Sequence, residues 1–228
     1  MNKGTFHIIS TPIGNLKDIT YRAVKVLKDV DMIYSEDTRV TKRLLGEYTI
    51  DTPLKSYHAN SSQSKEDEII SQLNDGKNIA LVSDAGTPTI SDPGVKIISR
   101  IREDLPDVRI EPIPGATALI AGLSVTGFIG NQFTFYGFLP HKKGRLSLFE
   151  EMKNSSRISV FYESPHRLLK TLHSLNEVLE QERKICVARE LTKIYEEHPV
   201  LSIREMLVYY ESQPNKIKGE CVIIIDSK

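Results

Sequence analysis

Residues 82–94, VSDAGTPTISDPG, constrain the fold more than any other stretch of the chain. They follow a short apolar run, 78–82, that reads as a buried strand, and they precede an apolar-periodic run, 95–101, that reads as a helix. Small residues, two aspartates and two prolines thus occupy the turn at the carboxyl end of a strand. In an open α/β sheet this is where ligands sit, because main-chain amides and a helix start line the crevice there. The same residues also fit an ordinary strand-to-helix turn, with Asp92 as helix cap and Pro93 in the first turn.

The rest of the first half repeats the alternation. Strands are predicted over 6–10, 32–35, 79–82 and 108–112, with helices over 21–28, 38–46, 65–74 and 95–102 between them. That pattern specifies an α/β fold with a parallel, doubly wound sheet. After an apolar helix at 116–125, the segment TGFIGNQ (126–132) supplies glycines and polar residues suited to a hinge, so two α/β domains are expected, 1–125 and 126–228. In the second domain the strands fall at 133–136, 158–162, 184–189, 194–200 and 220–225, and the helices at 146–153, 165–179 and 203–212. A cleft between two such domains is a common ligand site.

Composition narrows the partners. Thirty basic and thirty acidic residues cancel, so a nucleic acid would have to be held by a local patch rather than by the field of the whole chain. No run approaches the ~18 apolar residues of a membrane span, and MNKGTFHIIS runs straight into a strand pattern; a soluble, cytoplasmic protein without membrane attachment is expected. Cys186 and Cys221 lie in separate apolar strands and form neither a CxxC pair nor a disulfide framework. The six histidines have no metal-ligand spacing, and no metal is expected.

Three turns after strands carry small residues: Ser10-Thr11-Pro12-Ile13-Gly14-Asn15, the 82–94 segment, and Pro114-Gly115-Ala116-Thr117-Ala118. None is GxGxxG or GxxxxGK[ST], which counts against dinucleotides and nucleoside triphosphates. In one parallel sheet the three would converge on one crevice. Four charged clusters lie outside helical faces. In Ser35-Glu36-Asp37-Thr38-Arg39, Asp37 reads either as a helix cap or as a substrate contact. The loop Leu139-Pro140-His141-Lys142-Lys143-Gly144-Arg145 reads either as a phosphate-binding loop or as a solvated helix start. Phe161-Tyr162-Glu163-Ser164-Pro165-His166-Arg167 sets Ser164 as a cap and Pro165 at the first helical position. Ala188-Arg189-Glu190-Leu191-Thr192-Lys193 closes the set, where adjacent opposite charges also fit a simple salt bridge. No GxSxG elbow or HExxH is present, which removes the commonest hydrolase and metalloprotease readings.

Taken together, TPIGNLKDIT, SEDTRVTKRLL, SDAGTPTISDPG, PGATALIAGLSV, FYGFLPHKKGR, FYESPHRLL, RELTKIYEE and KGECVI resemble, in order and over nearly the whole chain, the ribosomal RNA small-subunit methyltransferase I family of the tetrapyrrole (corrin and porphyrin) methylase superfamily. The resemblance implies two α/β domains with an S-adenosylmethionine pocket between them, lined by Pro12, Ala85, Gly86, Thr87, Ile90, Thr117, Ala118, Glu163 and Leu191. It further implies a homodimer that methylates the ribose 2'-hydroxyl of a cytidine in the decoding region of 16S rRNA in the small ribosomal subunit. Family members usually continue into a further small helical segment, which is not matched here. The glycine-rich first loop of the tetrapyrrole branch is replaced by STPIGN, which favours rRNA over a porphyrin. A small-molecule methyltransferase acting on a tetrapyrrole and a non-catalytic ribosome-associated RNA-binding module are the alternatives.

Methyl transfer from a sulfonium is an in-line displacement, so alignment of donor and acceptor is the main requirement. A ribose hydroxyl also needs its proton accepted. Glu36, Asp37 and Glu190 are the candidate bases. Arg39, Arg189 and Lys193, with Lys142, Lys143 and Arg145 of the basic loop, are the candidate phosphate or ribose binders.

Overall fold

The computed structural model describes residues 3–59, 61–91 and 94–228, in two compact units, Met1–Thr117 and Ala118–Lys228. Asp92 and Pro93, the expected cap and first helical residue, lie outside the described residues. The following helix is preceded by Gly94 at φ +135°.

The first unit holds a five-stranded sheet in the order β3-β2-β4-β1-β5, with every pairing parallel. Its strands are β1 (Thr5–Ile9), β2 (Met32–Ser35), β3 (Leu54–Ser56), β4 (Ile79–Val82) and β5 (Arg109–Ile113). Helices α1 (Tyr21–Asp29), α2 (Thr38–Glu47), α3 (Gln63–Asn74) and α4 (Val95–Asp104) connect them. Strand β4, IALV, is buried along its whole length, as expected of a central parallel strand covered on both faces. Ile79 and Leu81 pack with Ile69, Leu73, Ile97 and Ile101 of α3 and α4. Ala80 and Val82 point the other way, against Ala23, Leu27 and Leu45 of α1 and α2. The doubly wound arrangement expected from the alternation is the one observed. Strand β3 was not predicted: it has three residues at the sheet edge and no apolar run.

The second unit opens with α5 (Ala118–Ser124) and carries a mixed sheet in the order β6-β7-β10-β8-β9. Strand β6 (Phe133–Phe138) runs parallel to β7 (Ile158–Glu163), while β10 (Cys221–Ile225) is antiparallel to both β7 and β8 (Lys184–Arg189). Helices α6 (Arg145–Asn154), α7 (Pro165–Val178) and α8 (Ile203–Ser212) cover one face through Phe149, Met152, Leu168, Leu172, Leu175 and Met206. On the opposite face α5 comes close: a Cβ on Gly122 would lie 3.4 Å from Val222 and 3.1 Å from Ile224. The strand expected over 194–200 does not form. Ile194 and Tyr195 are 94% and 74% exposed, Glu197 makes one isolated bridge to Arg189, and β9 is only Val200–Ser202.

Candidate active site

In the first unit, β1 and β4 are neighbours, yet the chain leaves them in opposite directions, toward β2 and toward β5. That divergence is the topological switch point, the place where open α/β sheets bind ligands. The turns after β1, β4 and β5 do converge there. Thr11 and Gly86 exchange main-chain hydrogen bonds of 2.8 and 3.1 Å, and the Thr11 hydroxyl donates to the Ser83 carbonyl at 3.1 Å. The Ser83 hydroxyl donates to the Gly86 carbonyl at 2.9 Å. Thr87 Oγ1 lies 2.9 Å from Ser10 Oγ and donates to the Ala116 carbonyl at 3.2 Å, which ties in the third turn.

Two glycines make this closeness possible. Gly86 has φ +83°, and a Cβ on it would lie 3.3 Å from Ile13 Cγ2 and 3.6 Å from the Ala116 carbonyl oxygen. A Cβ on Gly115 would meet the Ser10 Cβ at 2.9 Å. The backbone is therefore bare where the turns meet. No lysine, arginine or histidine occurs in residues 10–15, 83–90 or 114–117. Ala85 and Ile90 are exposed at the rim, and Pro12 is buried. Thr89, beside Ile90, adopts φ +75°, uncommon for a β-branched residue.

The carboxyl end of β2 joins the same edge, because Asp84 accepts a hydrogen bond from the Asp37 amide at 2.9 Å. Asp37 caps α2 by accepting from the Arg39 amide at 2.8 Å, and it also pairs with the exposed Arg39 guanidinium at 2.6 Å. These contacts hold its carboxyl down at about 2. Glu36 behaves oppositely: desolvation, reinforced by the negative charge of Asp84, raises its pKa. Among the described residues its carboxylate makes no hydrogen bond or ion pair.

In the second unit, Glu163 ends β7 on the face covered by α6 and α7. Its carboxylate is fully buried and accepts hydrogen bonds from Arg145 at 2.8 Å, from the Thr171 hydroxyl at 2.7 Å, from the Ser164 amide at 2.9 Å and from Arg167 Nε. Burial opposes its charge, but these four donors together outweigh burial and hold the carboxyl below the usual range. Arg145 consequently differs from its loop neighbours: it is 7% exposed and faces inward, whereas Lys142 and Lys143 are exposed. The sequence reading names Arg167 in the charged cluster without giving it a role and misses Thr171, although their spacing of four on α7 puts them on one helix face.

Arg189 is also turned inward. It is 6% exposed and donates to Glu197 at 3.0 Å, to the Lys218 carbonyl at 3.2 Å and to the Tyr195 carbonyl at 3.1 Å. Glu190 accepts from Lys193 at 2.9 Å and from the Glu220 amide at 3.1 Å. Partial burial opposes its charge, but those contacts lower its pKa. Leu191, 8% exposed, sits between two residues with left-handed backbone, Glu190 at φ +52° and Thr192 at φ +67°. A cleft of about 730 Å³ beside this loop has charged walls that include Arg189, Glu190, Glu197, Lys216 and Lys218. The two cysteines are buried, and desolvation pushes both thiols up to about 12, so neither is primed as a nucleophile.

Residues 5–206 match the sequence profile of the Tetrapyrrole (Corrin/Porphyrin) Methylases. Over 226 residues the chain is 44% identical to Ribosomal RNA small subunit methyltransferase I of Bacillus subtilis, which covers 98% of this chain and 75% of that relative. It is 40% identical over 225 residues to the protein of the same name from Thermotoga maritima, covering 99% of each. The chain belongs to the ribosomal RNA small subunit methyltransferase I family of tetrapyrrole methylases. A uroporphyrin-III C-methyl transferase from Thermus thermophilus, solved in complex with S-adenosyl homocysteine, has the same fold at a TM-score of 0.65 and 15% identity, over 98% of this chain and 97% of that one.

Proposed function

We propose that this member of the family transfers a methyl group from S-adenosylmethionine to the ribose 2'-hydroxyl of a cytidine in the decoding region of small-subunit 16S rRNA. The observation that carries the reading is the meeting of three small-residue turns at the switch point of a chain 40–44% identical to small-subunit rRNA methyltransferases over almost its whole length. The crevice suits this cofactor chemically. Cofactors bearing phosphates call for basic side chains or a glycine-rich helix start, and the three turns offer neither cation nor fingerprint. A sulfonium compound without phosphates needs close backbone approach and tolerates the nearby carboxylates of Asp84 and Glu36.

In this reading Pro12, Ala85, Gly86, Thr87, Ile90 and Thr117 hold the cofactor in the first unit. Ala118 and Leu191 follow from the family resemblance. Glu163 acts through Arg145 and Arg167 rather than on the cofactor, because both its oxygens are already hydrogen-bonded. When bound, the cofactor supplies an electrophilic methyl. The protein's own residues hold the acceptor and take its proton, and Glu36 suits the second task best of the three candidate carboxylates, being the one that makes no hydrogen bond or ion pair among the described residues and the one whose pKa is raised. We read the exposed Arg39, together with Lys193, as a ribose or phosphate contact. We further read the protein as a cytoplasmic homodimer. Among the described residues no helix is long and apolar enough to cross a membrane.

The deciding experiment incubates the pure protein with labelled S-adenosylmethionine and unmethylated small subunits, then hydrolyses the RNA in alkali. Attack by the 2'-oxygen drives that cleavage, so a 2'-O-methyl leaves one resistant step, expected at a cytidine. Label on a base would refute the ribose assignment. Calorimetry showing no cofactor binding would favour a non-catalytic RNA-binding module, and methyl transfer only to a tetrapyrrole would refute the rRNA reading.

A further inference from the structure

Strand β6 lies at the edge of the second sheet, and its last residue is a 62% exposed phenylalanine. The register with β7 shifts between Phe135 and Phe138, and Gly137 takes φ +62° there, which turns Phe138 outward at the strand end. Its ring rests against Tyr162, 5.3 Å away centroid to centroid, and Tyr162 in turn lies edge-on to Phe135 at 5.0 Å. The next residues form the basic loop. Leu139 is 2% exposed and roots it, whereas His141, Lys142 and Lys143 stand in solvent, and neither lysine forms an ion pair among the described residues.

The loop is braced from inside. Arg167 donates to the Leu139 carbonyl at 3.1 Å and Arg145 to the Pro140 carbonyl at 3.2 Å, while both guanidinium groups are anchored on the buried Glu163. A buried ion cluster is a costly way to stabilise a helix start. Here it fixes two successive carbonyls at the foot of a loop whose lysines are exposed.

We propose that Phe138 and residues 139–144 form a platform for a single-stranded RNA segment, with a base stacked on the Phe138 ring and its flanking phosphates on Lys142 and Lys143. Glu163, with Arg145 and Arg167, is the positioning group of that platform. An aromatic face next to unpaired cations is the combination that binds unstacked nucleotides with little regard to sequence. A second copy of this chain fits the patch less well, since a two-fold contact through it brings two like-charged basic loops into one interface. The inference rests on the rRNA reading above and assigns to it a subsite on the second unit.

The chain contains no tryptophan, so Phe138→Trp installs a single indole on the platform. Titration with a short oligocytidylate should quench its fluorescence, and the binding should weaken with salt. Phe138→Ala should raise KM for the small subunit about tenfold, lower kcat far less and leave calorimetric cofactor affinity as it was; Phe138→Trp should restore KM. Replacing Lys142 and Lys143 by Ala should reduce the slope of log affinity against log salt by about 0.7 per lysine. Thr171→Val, which keeps the shape but removes one donor to Glu163, should raise KM without an equal fall in kcat, and Thr171→Ser should rescue it. The platform is refuted if wild-type protein methylates the subunit while Phe138→Ala keeps its KM, or if the indole ignores RNA. A dimer that Phe138→Ala converts to monomer would give the patch to a second copy instead. Wild-type protein that methylates no subunit would mark failure of the rRNA reading itself.

Discussion

The crevice of the first unit and the loop foot of the second are preorganised by opposite means. In the crevice, Ser10, Thr11, Ser83 and Thr87 tie three turns together with neutral hydrogen bonds, many of them to the main chain. At the loop foot a single buried carboxylate gathers two arginines, and these in turn hold carbonyls. Neutral hydrogen bonds contribute about 1 kcal/mol each and fail one at a time. Buried ions stand or fall together, because removing one strands the others. The difference suits the partners proposed for each: a small cofactor that needs an exact backbone contour, and an RNA that needs lysines presented at a fixed point.

Mutations can break that contrast, in order of their expected effect on stability. Glu163→Gln leaves Arg145 buried without its counter-charge and should cost about 3 kcal/mol, read as a lowered denaturant midpoint with unchanged slope. Its pH dependence gives a second check. A carboxyl lowered in the folded state contributes stability that is complete above its unfolded value, about 4.3, and is lost as the pH falls through the folded value. Below about pH 4 the wild-type protein should therefore lose stability faster than Glu163→Gln. Parallel curves would mean that Glu163 is not the group being titrated.

Gly86→Val should come next. It sets a β-branched residue at φ +83° with a Cβ 3.3 Å from Ile13, at a cost of about 1–3 kcal/mol, and should abolish cofactor binding. Because that variant strains the fold as well as the pocket, Thr87→Val is the sharper test. Loss of the hydroxyl between Ser10 and Ala116 should cost about 1 kcal/mol and weaken cofactor affinity severalfold by calorimetry, with Thr87→Ser close to wild type. Equal affinity in Thr87→Val would remove this turn from the pocket.

The smallest effect on stability should come from Glu36→Gln. A carboxyl raised by desolvation and by Asp84 works against folding once ionised, so its neutral replacement should leave the protein as stable as before or slightly more so at pH 7. Its activity should nonetheless fall by about 10²-fold or more in kcat, as for loss of a general base. A full-rate Glu36→Gln enzyme would leave proton acceptance to another group.

What the sequence disclosed follows the same divide. Strand β4 and the centre of β8, residues 185–188, are continuous buried apolar runs, and the turns after β1, β4 and β5 carry their own signature of small residues, so both could be placed from local pattern. The second unit's charged loops could not. Arg145 reads as one more cation beside Lys142 and Lys143, and its inward turn depends on Glu163, eighteen positions away on another element. Arg189 misled for the same reason: its partners, Glu197, the Tyr195 carbonyl and the Lys218 carbonyl, are tertiary. The segment IYEEHPV has enough apolar residues to suggest a strand, yet Ile194 and Tyr195 point into solvent while Arg189 holds the loop.

Strand β10 follows every other strand in the sequence but lies in the middle of its sheet, hydrogen-bonded to β7 on one side and β8 on the other. During synthesis the first unit has all five of its strands by Ile113 and can fold as soon as it emerges. The second unit must wait with β7 and β8 unjoined, their apolar edges open, until Cys221–Ile225 arrives to close the gap. The nascent chain is therefore most exposed to mispairing and to chaperone capture in the interval between the two, and a stalled ribosome would hold a finished domain next to an unclosed one.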